Sequence, residues 1–341
     1  MVFAIDGRGL AGAPRGVARY AEGLLAALRE AHPEDDYRVL EPGAAGTGRR
    51  AAASMALAGR PLLEELVGGA AAVWAPAPRP LAIGPRTGLV LTVHDRSWEE
   101  RPADFTPYER LWHRVARPRA LAGRADRVLF DTVAVRDDVV SAWSLALERT
   151  RIAPPGVAAP ASGPPPPLPD GVQEPFLLWV GALEPRKAPD VLAEAFARAR
   201  ADGLRAQLVV VGAGRLAGVL TGPGIHALGP ADDATLAALL PHALAVVAPS
   251  HGEGYGLAPL EGLAHGVPAI VSDLPVYATT LAGGALRVPP GDVEALAAAL
   301  LRLEREPGLR DALVAAAPPR PEWRAAAAVL HAALHEAAAA R

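Results

Sequence analysis

A chain of 341 residues has room for two domains of ordinary size, each with its own core. Its 34 Lys and Arg against 37 Asp and Glu give a formal charge of −3, which argues against a dedicated nucleic-acid binder, and the lack of any cysteine excludes disulfides, thiolate catalysis and cysteine-ligated metals. No stretch of about 20 apolar residues is free of charges or prolines, and the opening Met1-Val2-Phe3-Ala4-Ile5-Asp6 run is too short for a signal peptide, so a soluble cytoplasmic protein is expected.

In chain order, residues 2–5 read as a strand, 17–29 as a helix, and 37–40, 71–74, 89–93 and 127–130 as further strands. Short apolar runs with amphipathic helices between them predict parallel strands buried on both faces. Pro154-Pro155-Gly156 and then Ser162-Gly163-Pro164-Pro165-Pro166-Pro167-Leu168-Pro169 form the most proline-rich segment, which predicts a stiff, extended linker over 158–175. A second series follows: strand 176–180, helix 189–201, strand 207–211, helix 234–240, strand 244–249, helix 257–265, strand 269–272 and helix 293–305. Gly266 and Pro268 are stop signals for the 257–265 helix. Residues 322–341 read as one alanine-rich helix. The expected class is α/β, with two doubly wound Rossmann-like domains.

The most informative segment is Glu253-Gly254-Tyr255-Gly256-Leu257-Ala258-Pro259-Leu260-Glu261. Two carboxylates bracket a glycine-rich stretch that opens a helix. Gly254 and Gly256 let a ligand approach the backbone closely, and Pro259 suits a first turn, where its missing N–H costs little. Free N–H groups and the positive helix end then suit an anion such as a diphosphate, with the carboxylates accepting from hydroxyls on either side. That combination fits a sugar nucleotide; the plainer reading is a strand–loop–helix unit with a tight turn.

Glu184-Pro185-Arg186-Lys187 follows the first strand of the second series. A guanidinium and an ammonium side by side at a strand's carboxyl end suit a diphosphate, although loop charges are often merely solvated. Val93-His94-Asp95 ends another strand. Ligands in open α/β sheets sit beyond such ends. A His-Asp pair there either bonds sugar hydroxyls, assists a proton transfer, or caps a turn. Gly7-Arg8-Gly9-Leu10-Ala11-Gly12 spells a dinucleotide fingerprint, but Pro14 and Gly16 postpone the helix to about residue 17. This loop is read as open near ligand phosphates or as plain surface, with a nicotinamide oxidoreductase as the rival. His226, His242, His265 and His335 have no partners at metal-ligand spacing, so no metal is expected.

These residues resemble the retaining glycosyltransferases of family four (group 1), which have the two-domain GT-B fold. Val180-Gly181-Ala182-Leu183-Glu184-Pro185-Arg186-Lys187 is similar to that family's Gly-x-Leu-Glu-Pro-Arg-Lys-Asn segment, and 249–261 to its Pro-Ser-x-x-Glu-Gly-Phe-Gly-Leu-Pro-x-Leu-Glu signature. Residues 266–273 and 288–292 continue in register. In the first half, Gly16-Val17-Ala18-Arg19-Tyr20 resembles the Gly-Ile-Gly-Arg-Tyr loop, and Thr92-Val93-His94-Asp95 the Val-His-Asp turn. Ala188 stands where the family often has Asn, Ala18 replaces a glycine, and Asp131-Thr132 departs from a common Ser-Glu turn.

The resemblance implies an acceptor-binding domain over 1–157, a nucleotide-sugar-binding domain over 176–320, and a helix over 321–341 that packs back toward the first domain, the two domains facing a cleft. Arg186 and Lys187 would grip the diphosphate. Glu253 would hold donor-sugar hydroxyls, helped by the backbone of Gly254, Tyr255, Gly256 and Leu257. Glu261 would take the ribose, His94 would touch the sugar or sit beside the reaction centre, and Gly12 and Gly16 would lie near the phosphates. No cofactor and no metal is implied. The variant is most similar to mannosyltransferases using GDP-mannose in polysaccharide or glycolipid assembly. The alternative is rhamnosyl or glucosyl transfer from a dTDP- or UDP-sugar to a natural product. Base recognition would fall partly on backbone at 226–229. Arg96, Trp98, Arg110, Trp112 and Arg114 line the acceptor side, approach a membrane face, or are ordinary helix surface.

Overall fold

A computed structural model describes residues 1–8, 10, 15–44, 48–160 and 163–341. It divides into two compact units, one of residues 1–156 with 321–341 and one of residues 157–320.

In the first unit the strands are β1 (Val2–Ile5), β2 (Asp36–Val39), β3 (Ala72–Ala75), β4 (Gly88–Thr92), β5 (Arg127–Phe130) and β6 (Thr150–Ile152). All pair in parallel, in the order β2-β1-β3-β4-β5-β6. Alternate residues of a strand face opposite sides. Thus Val90 and Leu129 join Trp74 against the helices Arg15–Ala31 and Trp323–Ala339, while Leu89, Leu91, Val128 and Phe130 pack on the other face against the helix Val133–Trp143. The alanine-rich terminal helix sits close on the sheet because little side chain intervenes: a Cβ on Gly88 would lie 2.5 Å from the Ala337 carbonyl oxygen. The first helix starts at Arg15, two residues before the expected start, and Gly16 lies within its first turn.

In the second unit the strands are β7 (Phe176–Val180), β8 (Gln207–Val211), β9 (Ile225–Gly229), β10 (Ala245–Ala248), β11 (Ala269–Ser272) and β12 (Ala285–Val288). They are again all parallel, ordered β12-β11-β10-β7-β8-β9. β7 runs at the centre with β8 on one side and β10 on the other, so the order reverses between β7 and β10. A crevice beyond the carboxyl ends at such a reversal is where doubly wound sheets hold ligands. The proline-rich segment is not free-standing along its whole length: Val172 is buried and Leu168 packs beside it against Phe176 and Leu178. Ser162 of that segment, and Gly9 and Gly12 of the first glycine loop, lie outside the described residues. Among the described residues no helix is long and apolar enough to cross a membrane.

Candidate functional site

The loops that follow β7 and β10 flank the reversal, and they carry the charged residues singled out in the sequence. After β7 the chain makes a 3-10 turn, Pro185–Lys187, and Ala188 adopts a left-handed φ of 51° before the helix Pro189–Ala201. Asn tolerates that conformation better than most residues, so Ala here carries some backbone cost. The turn is clamped from the β10 side, where the His251 N–H donates to the Arg186 carbonyl over 2.8 Å.

Arg186 Nη1 donates to the Gly252 carbonyl over 2.8 Å and stands 3.9 Å from Glu253 Oε1. The Lys187 ammonium is bonded to Glu253 Oε2, and the Ser250 hydroxyl reaches the same oxygen at 3.5 Å. Glu253 is only 12 % exposed, with both cations beside it. Glu184 is drawn the other way, to Arg215 at 2.5 Å, so it does not neutralise its neighbours Arg186 and Lys187.

Beyond Glu253 the chain enters the helix Leu257–Ala264 through Gly256, whose φ is 90°. Gly254, Tyr255 and Gly256 are buried, and Leu257 is half-buried at the helix start. Pro259 occupies the first turn, which leaves the Leu257 and Ala258 amides at the positive helix end. Glu261 lies one turn further on and is buried.

Tyr277 was not singled out by sequence reasoning, yet it underlies the whole loop. It is fully buried, and a Cβ on Gly256 would lie 2.4 Å from its ring. Burial first, and the Glu253 charge second, push its phenol well above the ordinary value, so it stays a neutral hydroxyl against the carboxylate. Residues 226–229 fall in the edge strand β9.

In the first unit, His94 follows β4. Its Nδ1 lies 2.7 Å from Asp131 Oδ2 and its Nε2 lies 2.9 Å from the Pro76 carbonyl. A charged ring can donate from both nitrogens to these partners, although burial also raises the pKa of Asp131. Burial alone would lower its pKa, but the charge and hydrogen bond of Asp131 outweigh it, and the value is raised. Both ring nitrogens are thus engaged by the protein. Asp131, noted in the sequence only as part of a departure from a common turn, is the partner of His94 that sequence reasoning missed. With a folded pKa above the unfolded value of about 6.5, the pair's stabilisation is full below that pH and is lost as pH rises through the folded value. The melting temperature of wild type should exceed that of His94→Gln most at pH 6, with the gap narrowing at higher pH; a pH-independent gap would remove the charged histidine.

Arg8, in the first glycine loop, is fixed by Asp6 at 2.7 Å and by the Pro80 carbonyl at 3.1 Å. Spacing left His335 without partners, but in the fold Asp35 and His331 stand beside it.

Residues 174–306 match the family described as Glycosyl transferases group 1. A D-inositol 3-phosphate glycosyltransferase of Actinosynnema mirum is 32 % identical over 232 residues, which are 59 % of this chain and 54 % of that protein. A phosphatidyl-myo-inositol mannosyltransferase of Mycobacterium leprae is 36 % identical over 149 residues, 41 % of this chain and 40 % of that protein. The chain therefore spans about half the length of the curated relatives it matches. Among solved structures, sucrose-phosphate synthase from Thermosynechococcus elongatus superposes with a TM-score of 0.70 at 19 % identity, covering 100 % of this chain and 99 % of that one, a likeness of fold.

Proposed function

We propose that this chain, which belongs to the group 1 glycosyltransferases and has the GT-B fold, is a retaining hexosyltransferase that moves a sugar from a nucleotide donor to a hydroxyl acceptor. The observation that carries the reading is the pairing of Arg186 and Lys187 with Glu253 at the reversal between β7 and β10, beside a helix start. A donor diphosphate takes the two cations and the amides near Leu257. Glu253, released from Lys187, accepts from hydroxyls of the donor sugar. The C1–phosphate bond breaks and the acceptor oxygen bonds to C1 on the same face, its proton passing to the departing phosphate oxygen. Cations and amides fixed in place stabilise the charge that grows on the leaving group. NMR of the product anomer tests this; an inverted centre overturns it.

GDP-mannose is the favoured donor, in keeping with the mannosyltransferase among the relatives; rhamnosyl or glucosyl transfer from a dTDP- or UDP-sugar is the alternative, and a thermal-shift panel of nucleotide sugars separates them. The family assignment replaces the nicotinamide reading of the Gly7-to-Gly12 loop. Glu261 holds the ribose hydroxyls. Replacing it by Ala removes charge-assisted hydrogen bonds and should weaken binding of the free nucleoside diphosphate roughly ten- to hundredfold; an unchanged dissociation constant by calorimetry dismisses the ribose role.

The first unit takes the acceptor. A cavity of about 770 Å³ there is lined by Arg110, Arg114, Arg117, Arg119 and Arg149. Tyr108 and Leu111 on the same helix are exposed. Arg96 is not available to this surface, being paired with Asp138 at 2.5 Å. A basic face edged by apolar side chains suits an anionic membrane surface. Binding to phosphatidylglycerol vesicles in a sedimentation assay, lost in 0.5 M salt and absent with phosphatidylcholine, is expected.

A further inference from the structure

At the amino ends of the first sheet's strands lies a cluster that the transfer reaction does not use. Asp35 immediately precedes β2, and its side chain is 3 % exposed. The terminal helix presents His331 and His335 to it, four residues apart and so on one face. Their Nε2 atoms lie 3.0 and 2.8 Å from the same oxygen, Asp35 Oδ2. The other Asp35 oxygen pairs with the Met1 amino group. His32, just beyond the first helix, stacks flat on His331 with ring centroids 3.5 Å apart, and its Nδ1 is 3.4 Å from Glu34.

Two overlapping ligand triads result: Asp35 with His331 and His335, and His32 with Glu34 and His331, the donor atoms of each lying within 4.8 Å of one another. We propose that Asp35, His331 and His335 bind a divalent transition ion of the zinc class, with water in the fourth position. Imidazole with one carboxylate is a donor set for such ions rather than for calcium or magnesium. A tetrahedral ion with bonds of about 2.0–2.2 Å holds its ligand atoms about 3.3 Å apart. The nitrogens therefore need to draw back from the Asp35 oxygen by only about half an ångström. On binding, the proton that each Nε2 now shares with Asp35 gives way to the ion.

The ion ties the terminal helix to the turn that enters β2, two segments about 300 residues apart in sequence. It sits at the strands' amino ends, whereas His94 follows the carboxyl end of β4, so the role is structural.

The test uses untagged full-length protein stripped with a chelator. Cobalt titration should give the visible absorption of a tetrahedral site at one ion per chain. Zinc at about a hundred times its dissociation constant should raise the melting of the first unit by about 5–10 °C. His331→Gln and His335→Gln should each weaken binding at least tenfold, while His242→Gln, at an exposed pair elsewhere, should not. Wild type that gives neither the cobalt band nor a zinc-dependent melting shift overturns the site. So does binding that survives in the His331→Gln/His335→Gln double variant.

Discussion

Lys187→Ala lowers the turnover of sugar transfer by about 10²–10³-fold, the cost of removing one fixed donor from a developing oxyanion. The ammonium is bonded to Glu253 in the ligand-free protein, so the substitution also frees that carboxylate. Arg186 remains 3.9 Å away and the Ser250 hydroxyl 3.5 Å away, so Glu253 is not left as a bare buried charge. The pair is partly open to solvent, with side chains 20 % and 12 % exposed, and its loss should cost the fold about 1 kcal/mol or less. The expected signature is therefore a large kinetic defect with a melting temperature within a few degrees of wild type. Glu253→Ala should show the same separation, through loss of the sugar contact. Near-normal turnover by either variant in a nucleotide-sugar assay, with unchanged melting, removes that residue from the site.

Gly256→Ala should damage both stability and activity. The residue has φ 90°, a region that costs a residue with a Cβ about 1–2 kcal/mol. Its new methyl would also lie 2.4 Å from the Tyr277 ring, which is fully buried and cannot swing aside. Overpacking of that kind costs about 1–3 kcal/mol more. The backbone that yields is the one leading into the helix Leu257–Ala264, so the amides proposed to hold the diphosphate are displaced along with it. Placing Gly256→Ala in a Tyr277→Leu background separates the two contributions. Part of the lost stability should return there, because two residues in contact do not act additively. If the double variant melts at the sum of the single effects, the ring contact is not what constrains Gly256.

What could be read from the sequence followed burial. β1, β5, β7, β8 and β11 lie at the residues expected, since interior parallel strands are unbroken apolar runs. β6, β9 and β12 were passed over, and each is a sheet edge. Thr150-Arg151-Ile152, Ile225-His226-Ala227-Leu228-Gly229 and Ala285-Leu286-Arg287-Val288 are only partly buried, so they carry polar residues and show no continuous run. The candidate site was legible because its charges are packed into two short motifs, 184–187 and 253–261. Its support was not. Tyr277 meets Gly256, and Asp131 meets His94, only through the fold. The same holds for Asp35, whose histidine partners lie on the last helix; a His-x-x-x-His spacing at 331 and 335 was the one local sign.

The first unit takes in residues 321–341 as well as 1–156, and its sheet is covered on one face by the last helix. During synthesis the ribosome must make all of the second unit before that cover exists. At 5–20 residues per second this is a delay of roughly ten to thirty seconds. Through that interval Trp74, Val90 and Leu129 lack the alanine face that shields them in the finished molecule. The domain begun first is thus completed last, and a chain truncated after residue 320 should hold a folded second domain and an open first one, a natural client for a chaperone.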